Sequence, residues 1–370
     1  MKFTCSKNDL NEALRIVSKA IATKPQTPIL SCIFIQTQGD KLELQATNYE
    51  LSFICHIPAT IEESGDIALT GRYVLEVVTK MPGDTITFSM MNDDKTIHIQ
   101  SGQSKFTLLS MNAAEFPQIE HLAGNVQFTL KDNVLRELIR KTIFACATDE
   151  GRPVFTGCSL TIEGNKVTMA ATNIHRLAVI SKVFDQEIGS IQIIIPAKIL
   201  AEVLHMPGGD IPTEVTITCS YNQISFSTPS VYMASRLIEG QFPSFTNVIP
   251  RSFATNVQVD RAAFAAAIDR VALISRAGDY NVVKLQFSNG NIHLHSRNPE
   301  IGDADEDVAA EIDGPDLMIA FNANYLIDVL KSMQGDVCRI GLNKELSPAV
   351  LREPDDEDFL YVVTPVRTAH

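Results

Sequence analysis

The spacing of apolar residues along this chain alternates between two periods, and the same succession occurs three times. In six segments apolar residues recur every three or four positions, which predicts helices with one buried face. These segments are 7–20, 72–80, 131–143, 197–206, 260–276 and 324–334. Between them the pattern alternates or runs apolar, as in strands. Each repeat is therefore expected to hold two helices and about eight short strands, strand lengths of about five residues being usual.

A short polar motif marks the repeat. Ala46-Thr47-Asn48 recurs as Ala171-Thr172-Asn173 and, weakened, as Ser296-Arg297-Asn298, with the asparagines 125 residues apart. Solenoid units run to about 20–50 residues, so this period indicates a duplicated small domain. We expect domains at 1–124, 125–251 and 252–370, packed end to end because no Gly/Ser-rich linker separates them.

Local signals support the same elements. Ser6 and Asp260 can cap the first helices of the first and third repeats, whereas Lys131 cannot cap the second. Gly and Asn at the strand connections are typical of hairpins. The predicted strands Ile29–Gln36, Val154–Ile162 and Val282–Phe287 run into the tips Gly39-Asp40-Lys41, Gly164-Asn165-Lys166 and Asn289-Gly290-Asn291. The expected fold is α+β, with two helices packed on antiparallel sheets in each domain.

The charge is unevenly distributed. The chain carries −13, but the six helical segments sum to +5 and the remainder to −18. This excess is either chance or a basic wall of helices inside an acidic shell, which would repel DNA except along that wall. No stretch of about 18 apolar residues is present, so no membrane span is expected. Seven cysteines without a CxxC pair indicate a reducing compartment and a cytoplasmic location.

No arrangement typical of an enzyme or a metal protein emerges. P-loop, GxGxxG, GxSxG and HExxH patterns are missing from the sequence. His175-Arg176 lacks an implied Ser or Cys nucleophile. His293 and His295 lack a third ligand, and the calcium-like run from Asp303 has Val308 in place of the required glycine. We expect no catalytic residue, metal or cofactor.

Several ordered stretches resemble one family. They are Lys24-Pro25-Gln26-Thr27-Pro28-Ile29-Leu30, Ala171-Thr172-Asn173-Ile174-His175-Arg176-Leu177-Ala178-Val179, Gly240-Gln241-Phe242-Pro243, Asn298-Pro299-Glu300-Ile301-Gly302-Asp303-Ala304-Asp305-Glu306 and Tyr361-Val362-Val363-Thr364-Pro365-Val366-Arg367. Over its whole length the chain resembles the bacterial sliding clamps, the beta subunits of DNA polymerase III.

The resemblance implies a head-to-tail homodimer, so that each chain forms half of a closed ring lined by twelve helices. Helices about 9–10 Å apart would form a circle about 36 Å across, and subtracting a helix diameter of about 10 Å leaves a hole of about 26 Å. Such a ring would encircle double-stranded DNA without reading its sequence. It would tether the replicative polymerase and clamp-loader subunits through short linear motifs.

The resemblance also implies three sets of site residues. Family positions that face DNA match at Lys24, Arg72 and Lys198, and the predicted helix at 131–143 adds Arg136, Arg140 and Lys141. The peptide groove would comprise Phe155, Thr172, Ile174, His175, Arg176, Leu177, Pro243, Asn247, Val248, Tyr280, Asn322, Tyr325, Leu346, Val362, Thr364, Pro365, Val366 and Arg367. The dimer contact would comprise Phe106, Leu108, Leu273, Ile274, Glu300, Asp303, Asp305 and Glu306.

Some positions depart from the family pattern. Ile174 replaces the usual glycine, Asn247 a basic residue and Thr364 a methionine, which could narrow the groove or shift its preference. Pro153 and Val154 stand where aromatic residues are frequent. Thr368-Ala369-His370 extends the chain past the groove and could alter its rim.

Two other hypotheses remain open at this stage. One is a multidomain scaffold that never contacts DNA, which would keep every activity after charge reversal at Lys24, Arg72 and Lys198. The other is an enzyme of unknown chemistry that uses His175. Replacing His175 with alanine would abolish its turnover, whereas a ring would show only weaker peptide capture. Leu177, Val248 and Val362 have a further interpretation as ordinary core residues.

Overall fold

A computed structural model describes residues 1–91, 95–208, 211–276 and 281–367. The order strand, helix, four strands, helix, three strands occurs three times within these ranges. In the first repeat the elements are β1 (Lys2–Ser6), α1 (Lys7–Val17), β2 (Cys32–Gln38), β3 (Lys41–Thr47), β4 (Leu51–Glu63), β5 (Asp66–Thr70), α2 (Gly71–Lys80), β6 (Thr85–Met90), β7 (Thr96–Ser101) and β8 (Ser104–Met111).

The second and third repeats follow the same order. The second holds β9 (Val126–Lys131), α3 (Asp132–Arg140), β10 (Gly157–Gly164), β11 (Lys166–Thr172), β12 (Arg176–Val183), β13 (Gly189–Pro196), α4 (Ala197–Val203), β14 (Glu214–Cys219), β15 (Gln223–Ser227) and β16 (Val231–Arg236). The third holds β17 (Thr255–Asp260), α5 (Arg261–Ser275), β18 (Val282–Ser288), β19 (Asn291–Asn298), β20 (Gly302–Asp313), β21 (Leu317–Asn322), α6 (Ala323–Ser332), β22 (Val337–Leu342), β23 (Ala349–Arg352) and β24 (Phe359–Val363). The predicted α+β fold of two helices and eight strands per repeat is confirmed.

The described residues form two compact units rather than three. Unit 1 comprises 1–135 and 198–237, and unit 2 comprises 136–197 and 238–370. Each unit contains one twelve-stranded sheet, in the order β1-β6-β7-β8-β5-β2-β3-β4-β16-β15-β14-β9 in unit 1 and β13-β10-β11-β12-β24-β23-β22-β17-β20-β19-β18-β21 in unit 2. The strands of the second repeat are shared between the two sheets, and the division into three domains stays a prediction.

Strand pairing joins consecutive repeats in the same register. In unit 1, Leu51 of β4 pairs with Ser235 of β16, one of five antiparallel residue pairs between these two strands. In unit 2, Arg176 of β12 pairs with Val363 of β24, again over five pairs. Leu51 and Arg176 both lie four residues after the threonine of the repeat motif. The two junctions are therefore copies of one interaction.

The helices begin where the sequence indicates. The Ser6 hydroxyl accepts a hydrogen bond from the Asp9 amide at 3.3 Å, and the Asp260 carboxylate accepts one from the Ala263 amide at 2.7 Å. Both predicted N-caps are confirmed. Each helix buries an apolar face on its sheet, as Leu10, Leu14 and Val17 do on α1. No helix in the described ranges is both long and apolar enough to cross a membrane.

Two predicted strands start later than the sequence suggests. Pro28–Ser31 and Pro153–Phe155 form 3₁₀ helices, and the strands begin only at Cys32 and Gly157. Proline fixes φ at a helical value and lacks an amide hydrogen, so it suits the first position of a helical turn. The apolar run alone did not reveal this.

Candidate functional site

The turn that follows β11 is held by side chains bonded to its own backbone. Asn173 Oδ1 accepts hydrogen bonds from the amides of His175 and Arg176, both at 3.1 Å. The Thr172 hydroxyl donates to the Arg176 carbonyl at 2.6 Å and accepts from the Ile174 amide at 3.1 Å. Thr and Asn are the residues that make such local turns. The motif recognised in the sequence thus fixes the direction in which β12 leaves the turn.

Ile174 lies at the strained position of this turn. Its φ is +82°, in the region that glycine tolerates and β-branched residues rarely adopt. The hydrogen bonds of Thr172 and Asn173 on either side hold it there. The residue is 50% exposed, so it presents an apolar side chain at the surface.

Arg176 is buried beneath the turn. Its Nη1 donates to Asp328 Oδ2 on α6 at 2.6 Å, and its Nη2 donates to the Phe144 carbonyl. The guanidinium also lies 4.5 Å from the centroid of the Tyr325 ring, within cation–π distance. Arg176 therefore fastens the second repeat to the third, a role the sequence did not predict.

An apolar cluster lies beside the turn. Its buried members are Ala170, Leu177, Val179, Ile194, Phe242, Val350 and Val362, and partly buried side chains packed on it are Val154, Ile238, Phe245, Ile249, Phe253 and Leu360. Leu177 and Val362 are only 4% and 3% exposed, so they form the floor rather than the contact surface. We call this cluster, with the turn 172–176, the groove.

The segment that follows β24 closes one side of the groove. The amide and hydroxyl of Thr364 donate to the His175 carbonyl at 2.9 and 3.0 Å. The Val366 amide donates to the Ala320 carbonyl at 2.8 Å. Asn173 Nδ2 donates to the Tyr325 hydroxyl at 3.2 Å. The structure thus brings together the predicted residues around 172–177, 325 and 362–366.

The other predicted groove residues lie around this cluster rather than within it. Phe155 is half-buried in the 3₁₀ helix 153–155, and Pro243 follows the buried Phe242. The remaining ones are exposed or half-buried around it, namely Asn247, Val248, Asn322, Leu346, Pro365 and Arg367. Tyr280 and the extension 368–370 lie outside the described residues.

The sequence interpretation missed Phe242, Phe245, Ile238 and Asp328. The family resemblance includes the stretch Gly240-Gln241-Phe242-Pro243 but assigns only its proline to the site. The aromatic spacing of Phe242 and Phe245, whose rings contact edge-on with centroids 6.3 Å apart, could have indicated an apolar surface.

The predicted DNA-facing cations differ in their surroundings. Lys24, Arg72, Arg140 and Lys198 are exposed and Arg136 is half-buried. Arg72 Nε donates to Glu76 Oε1 at 3.1 Å, one turn further along α2. These side chains can reach a phosphate from the protein surface, and their role stays a prediction.

The expectation for Lys141 is wrong. Its side chain is buried, and the residue is only 3% exposed. Its ammonium group lies 3.3 Å from Glu353 Oε1 and also bonds Asp356 Oδ2. Charge count alone suggested a surface cation, but Lys141 lies three residues after the buried Leu138, on the face of the helix that packs inward.

Within the described residues, the strands β8 and β20 each pair on one side only over most of their length. On β8, residues 104–109 pair with β7 on one side, and only Ser110 and Met111 pair with β5 on the other. On β20, residues 302–309 pair with β19, and β17 pairs only from Ala310 onward.

The predicted dimer residues lie on or near these two edges. Phe106, Leu273, Glu300, Asp303 and Asp305 are exposed, and Leu108, Ile274 and Glu306 are half-buried. The charge of Glu306 is already matched within its own unit, because Arg270 Nε donates to its Oε2 at 3.0 Å.

The histidines of β19 face acids on β20. His295 Nδ1 and His293 Nε2 lie 2.8 and 3.1 Å from Asp305 Oδ1, and the His295 hydrogen bond lowers the pKa of Asp305. Within the described ranges, no group of three or more His, Cys, Asp or Glu is arranged to hold a metal ion. All seven cysteines are buried free thiols.

Known proteins resemble this chain along its full length. Models of the DNA polymerase III beta subunit match with the N-terminal domain at 1–120, the central domain at 129–244 and the C-terminal domain at 246–367. The beta sliding clamp of Bacillus subtilis is 34% identical, with all of both chains covered. The crystal structure of a sliding clamp from that organism superposes with a TM-score of 0.91 at 33% identity, covering both chains completely. A Pseudomonas aeruginosa clamp bound to griselimycin gives a TM-score of 0.91 at 29% identity, with the same coverage.

Proposed function

The chain belongs to the DNA polymerase III beta subunit family of sliding clamps, which are processivity factors rather than enzymes, and on that premise we propose that two copies close a ring around duplex DNA. The observation that carries the proposal is the repeated strand junction. Each unit contains one completed junction, β4 with β16 or β12 with β24. The equivalent strands for a third junction are β20 and β8, each of which pairs, among the described residues, on one side only over most of its length.

The register of the completed junctions specifies the missing one. Ile301 lies at the position of Leu51 and Arg176, three residues after the motif asparagine. The successive strand pairings of the first and second repeats place Phe106 at the position of Met233, so Leu108 takes that of Ser235. Ile301 of one copy would then pair with Leu108 of the other. Pairing would bury the side chain of Ile301, which is 54% exposed, against the half-buried Leu108.

The exposed cations supply the DNA-facing side. Lys24, Arg72, Lys198 and Arg140 can meet phosphates without reading bases. Since the chain as a whole carries −13, DNA would be repelled from the rest of the surface. These cations provide weak, water-mediated contact that lets a ring slide. Closure of the ring, rather than affinity, retains it.

The groove would capture short linear motifs of the replicative polymerase and the clamp loader. An apolar floor with a few polar anchors is the usual chemistry of peptide sites. The exposed Ile174 and half-buried Phe245 offer apolar contact beside the floor of Leu177 and Val362. A cytoplasmic location is consistent with this function. The sulfur atoms of the buried free thiols Cys146 and Cys158 lie 3.6 Å apart, as expected in a reducing compartment.

Topological retention tests the ring. The protein is loaded by its clamp loader onto a closed circular duplex, and the circle is then either kept or cut at one site. We expect the protein to remain on the closed circle through moderate salt and to leave the cut molecule. Equal retention on both forms would refute encirclement, and loss from both would indicate a simple electrostatic binder.

A strand-edge variant tests the dimer directly. Phe106→Asp should place a carboxylate opposite Asp303 of the other copy and change the mass measured by light scattering from that of two chains to that of one. Tyr221→Asp is the control, because Tyr221 is an exposed aromatic residue that lies on neither β8 nor β20. A dimer that persists in Phe106→Asp would contradict the proposed pairing.

A further inference from the structure

Unit 1 contains a polar cleft that no part of the proposed function uses. Its volume is about 890 Å³, and it lies between the ends of β2, β3 and β5 and the segment 110–119. That volume is in the range of ligand sites, about 300–1,000 Å³. The lining includes glutamines 36, 38, 45 and 118, the carboxylates of Glu43 and Asp66, and the rings of Phe34 and Phe116.

The cleft occupies a place in the first repeat that is apolar in the second. Gln45 directly precedes the motif Ala46-Thr47, as Ala170 precedes Ala171-Thr172. Phe116-Pro117 stands where Phe242-Pro243 stands. Ala170 and Phe242 are both buried members of the groove cluster. The two repeats therefore offer surfaces of opposite chemistry at related positions.

A buried carboxylate forms the floor of the cleft. Glu43 is only 9% exposed. Gln45 Nε2 donates to its Oε1 at 2.6 Å, and His56 Nε2 lies 2.8 Å from its Oε2. The hydrogen bond from His56 holds the pKa of Glu43 below its usual value despite burial. The floor thus carries a negative charge at neutral pH.

Nearby cations do not fill the cleft. Its lining, in the described part of the chain, includes neither Lys nor Arg. The α-ammonium group of Met1 at its border faces Glu63 at 3.6 Å instead. Asp66 at the start of β5 adds a second, exposed carboxylate. A ligand that brings positive charge would therefore be favoured.

One wall of the cleft is flat and aromatic. The rings of Phe34 and Phe116 are stacked, with centroids 5.2 Å apart and planes 17° apart, and both are half-buried. A guanidinium group has five N–H donors in one plane and stacks on aromatic faces, whereas an ammonium group does not match this shape. The glutamine carbonyls and the two carboxylates provide acceptors for such a fork.

We propose that this cleft is a second docking site on the clamp, which binds an arginine side chain carried by an extended peptide segment of a partner protein. The guanidinium stacks against the wall of Phe34 and Phe116, with its N–H groups directed to the carboxylates of Glu43 and Asp66. This site is separate from the apolar groove, so a partner can use either surface alone. The ring proposal does not depend on it.

The cleft provides its own reporters. Met1, Met90 and Met111 line it, among ten methionines in the chain. The intact protein is labelled at methionine methyl groups and titrated with Nα-acetyl-arginine-N-methylamide. We expect methyl shifts confined to these three methionines. Nα-acetyl-citrulline-N-methylamide, which has the same shape without the charge, should bind at least tenfold more weakly.

Two variants and one further ligand complete the test. Glu43→Gln should weaken arginine binding at least tenfold, whereas Asp40→Asn, an exposed hairpin acid, should leave it unchanged. If Glu43→Gln disturbs methionine signals outside the cleft, the citrulline comparison on the native protein decides. The further ligand is Nα-acetyl-leucine-N-methylamide, which is apolar and should not bind. Equal binding of the citrulline derivative, or stronger binding of the leucine derivative, would overturn the proposal. Absence of shifts at all three methionines would overturn it as well.

Discussion

The turns 47–51 and 172–176 have the same pattern of side-chain to backbone hydrogen bonds but differ in the residue that is buried beneath the turn. In the first, Asn48 Oδ1 accepts from the Glu50 and Leu51 amides at 3.0 and 2.8 Å, as Asn173 does in the second. Leu51 is a buried apolar residue, whereas Arg176 in its place binds Asp328. The repeat thus conserves the turn through side chains bonded to the backbone and leaves the buried position free to change.

A second pair of positions follows the same rule. Ile16 lies as far from the start of α1 as the buried Lys141 lies from the start of α3. Lys141 binds Glu353 and Asp356 of the third repeat. Two aliphatic residues in the first repeat correspond to two cations in the second. The junction between the second and third repeats therefore contains ion pairs at positions where the first repeat has aliphatic residues.

The largest effect is expected when the more buried cation is removed. Lys141→Ala leaves the half-buried carboxylates of Glu353 and Asp356 without their cation and should cost about 3–5 kcal/mol. Hydrogen exchange of amides in β23 and β24 measures the local free energy of opening. The exposed Lys331→Ala should change it by less than about 0.5 kcal/mol. Similar losses in both variants would mean that Lys141 has no special role.

Arg176→Leu makes the second turn resemble the first. Asp328 is partly open to water, so the expected cost is about 2–3 kcal/mol, below the roughly 3–5 kcal/mol of a fully buried ion pair. Peptide capture in the groove, measured by fluorescence anisotropy with a motif peptide of the cognate polymerase, should fall at least tenfold. Arg236→Ala, an exposed arginine on β16, is the control. Unchanged opening of β12 and β24 would show that an apolar residue serves equally well at both junctions.

The shared turn predicts related effects at the two asparagines. Asn48→Ala and Asn173→Ala each remove the acceptor of two amides and should cost about 1–2 kcal/mol in local opening. Asn173→Ala should cost about 1 kcal/mol more, because it also removes the hydrogen bond to the Tyr325 hydroxyl. Only Asn173→Ala should weaken peptide capture. A larger loss of stability in Asn48→Ala than in Asn173→Ala would show that the turns are not equivalent.

Glycine at the strained position should stabilise one turn more than the other. Both Ile174 and Tyr49 have positive φ, but only isoleucine is β-branched. Ile174→Gly should relieve about 1–2 kcal/mol of backbone strain. Glycine also increases the entropy of the unfolded chain, which offsets part of this relief. The free energy of unfolding should therefore rise by about 0.5–1 kcal/mol. Tyr49→Gly should be nearly neutral. Destabilisation of Ile174→Gly, seen as faster exchange, would show that apolar contacts of Ile174 outweigh its strain.

The smallest change in local stability is expected when the pH is lowered. Burial alone would raise the pKa of Asp356, but the hydrogen bond and charge of Lys141 outweigh it and hold that pKa below its usual value. A depressed carboxyl pKa contributes stability above the unfolded value of about 3.9 and loses it as the pH falls through the folded value. Protection of β24 should therefore decline below about pH 4 in the native protein, and less so in Lys141→Met. Identical acid profiles would contradict this assignment.

The sequence predicted the periodic elements well and the buried charges poorly. Helices, N-caps and hairpin tips follow from local spacing and from residues such as Ser6 and Asp260, whose role depends on nearby backbone. Burial of Lys141 and Arg176 depends on acids about 150 to 215 residues away. No local pattern reports such a partner. The sharing of the second repeat between two sheets likewise depends on long-range pairing, as between β4 and β16.

The acids of β20 have a directional consequence. Asp303, Asp305 and Asp307 crowd one strand, so two copies of β20 would repel each other side by side, and charged edges are a known guard against self-pairing. β8, with Lys105 and Phe106, offers the complementary edge. In the closed assembly proposed above, every subunit points the same way round, so the two faces of the assembly are not equivalent.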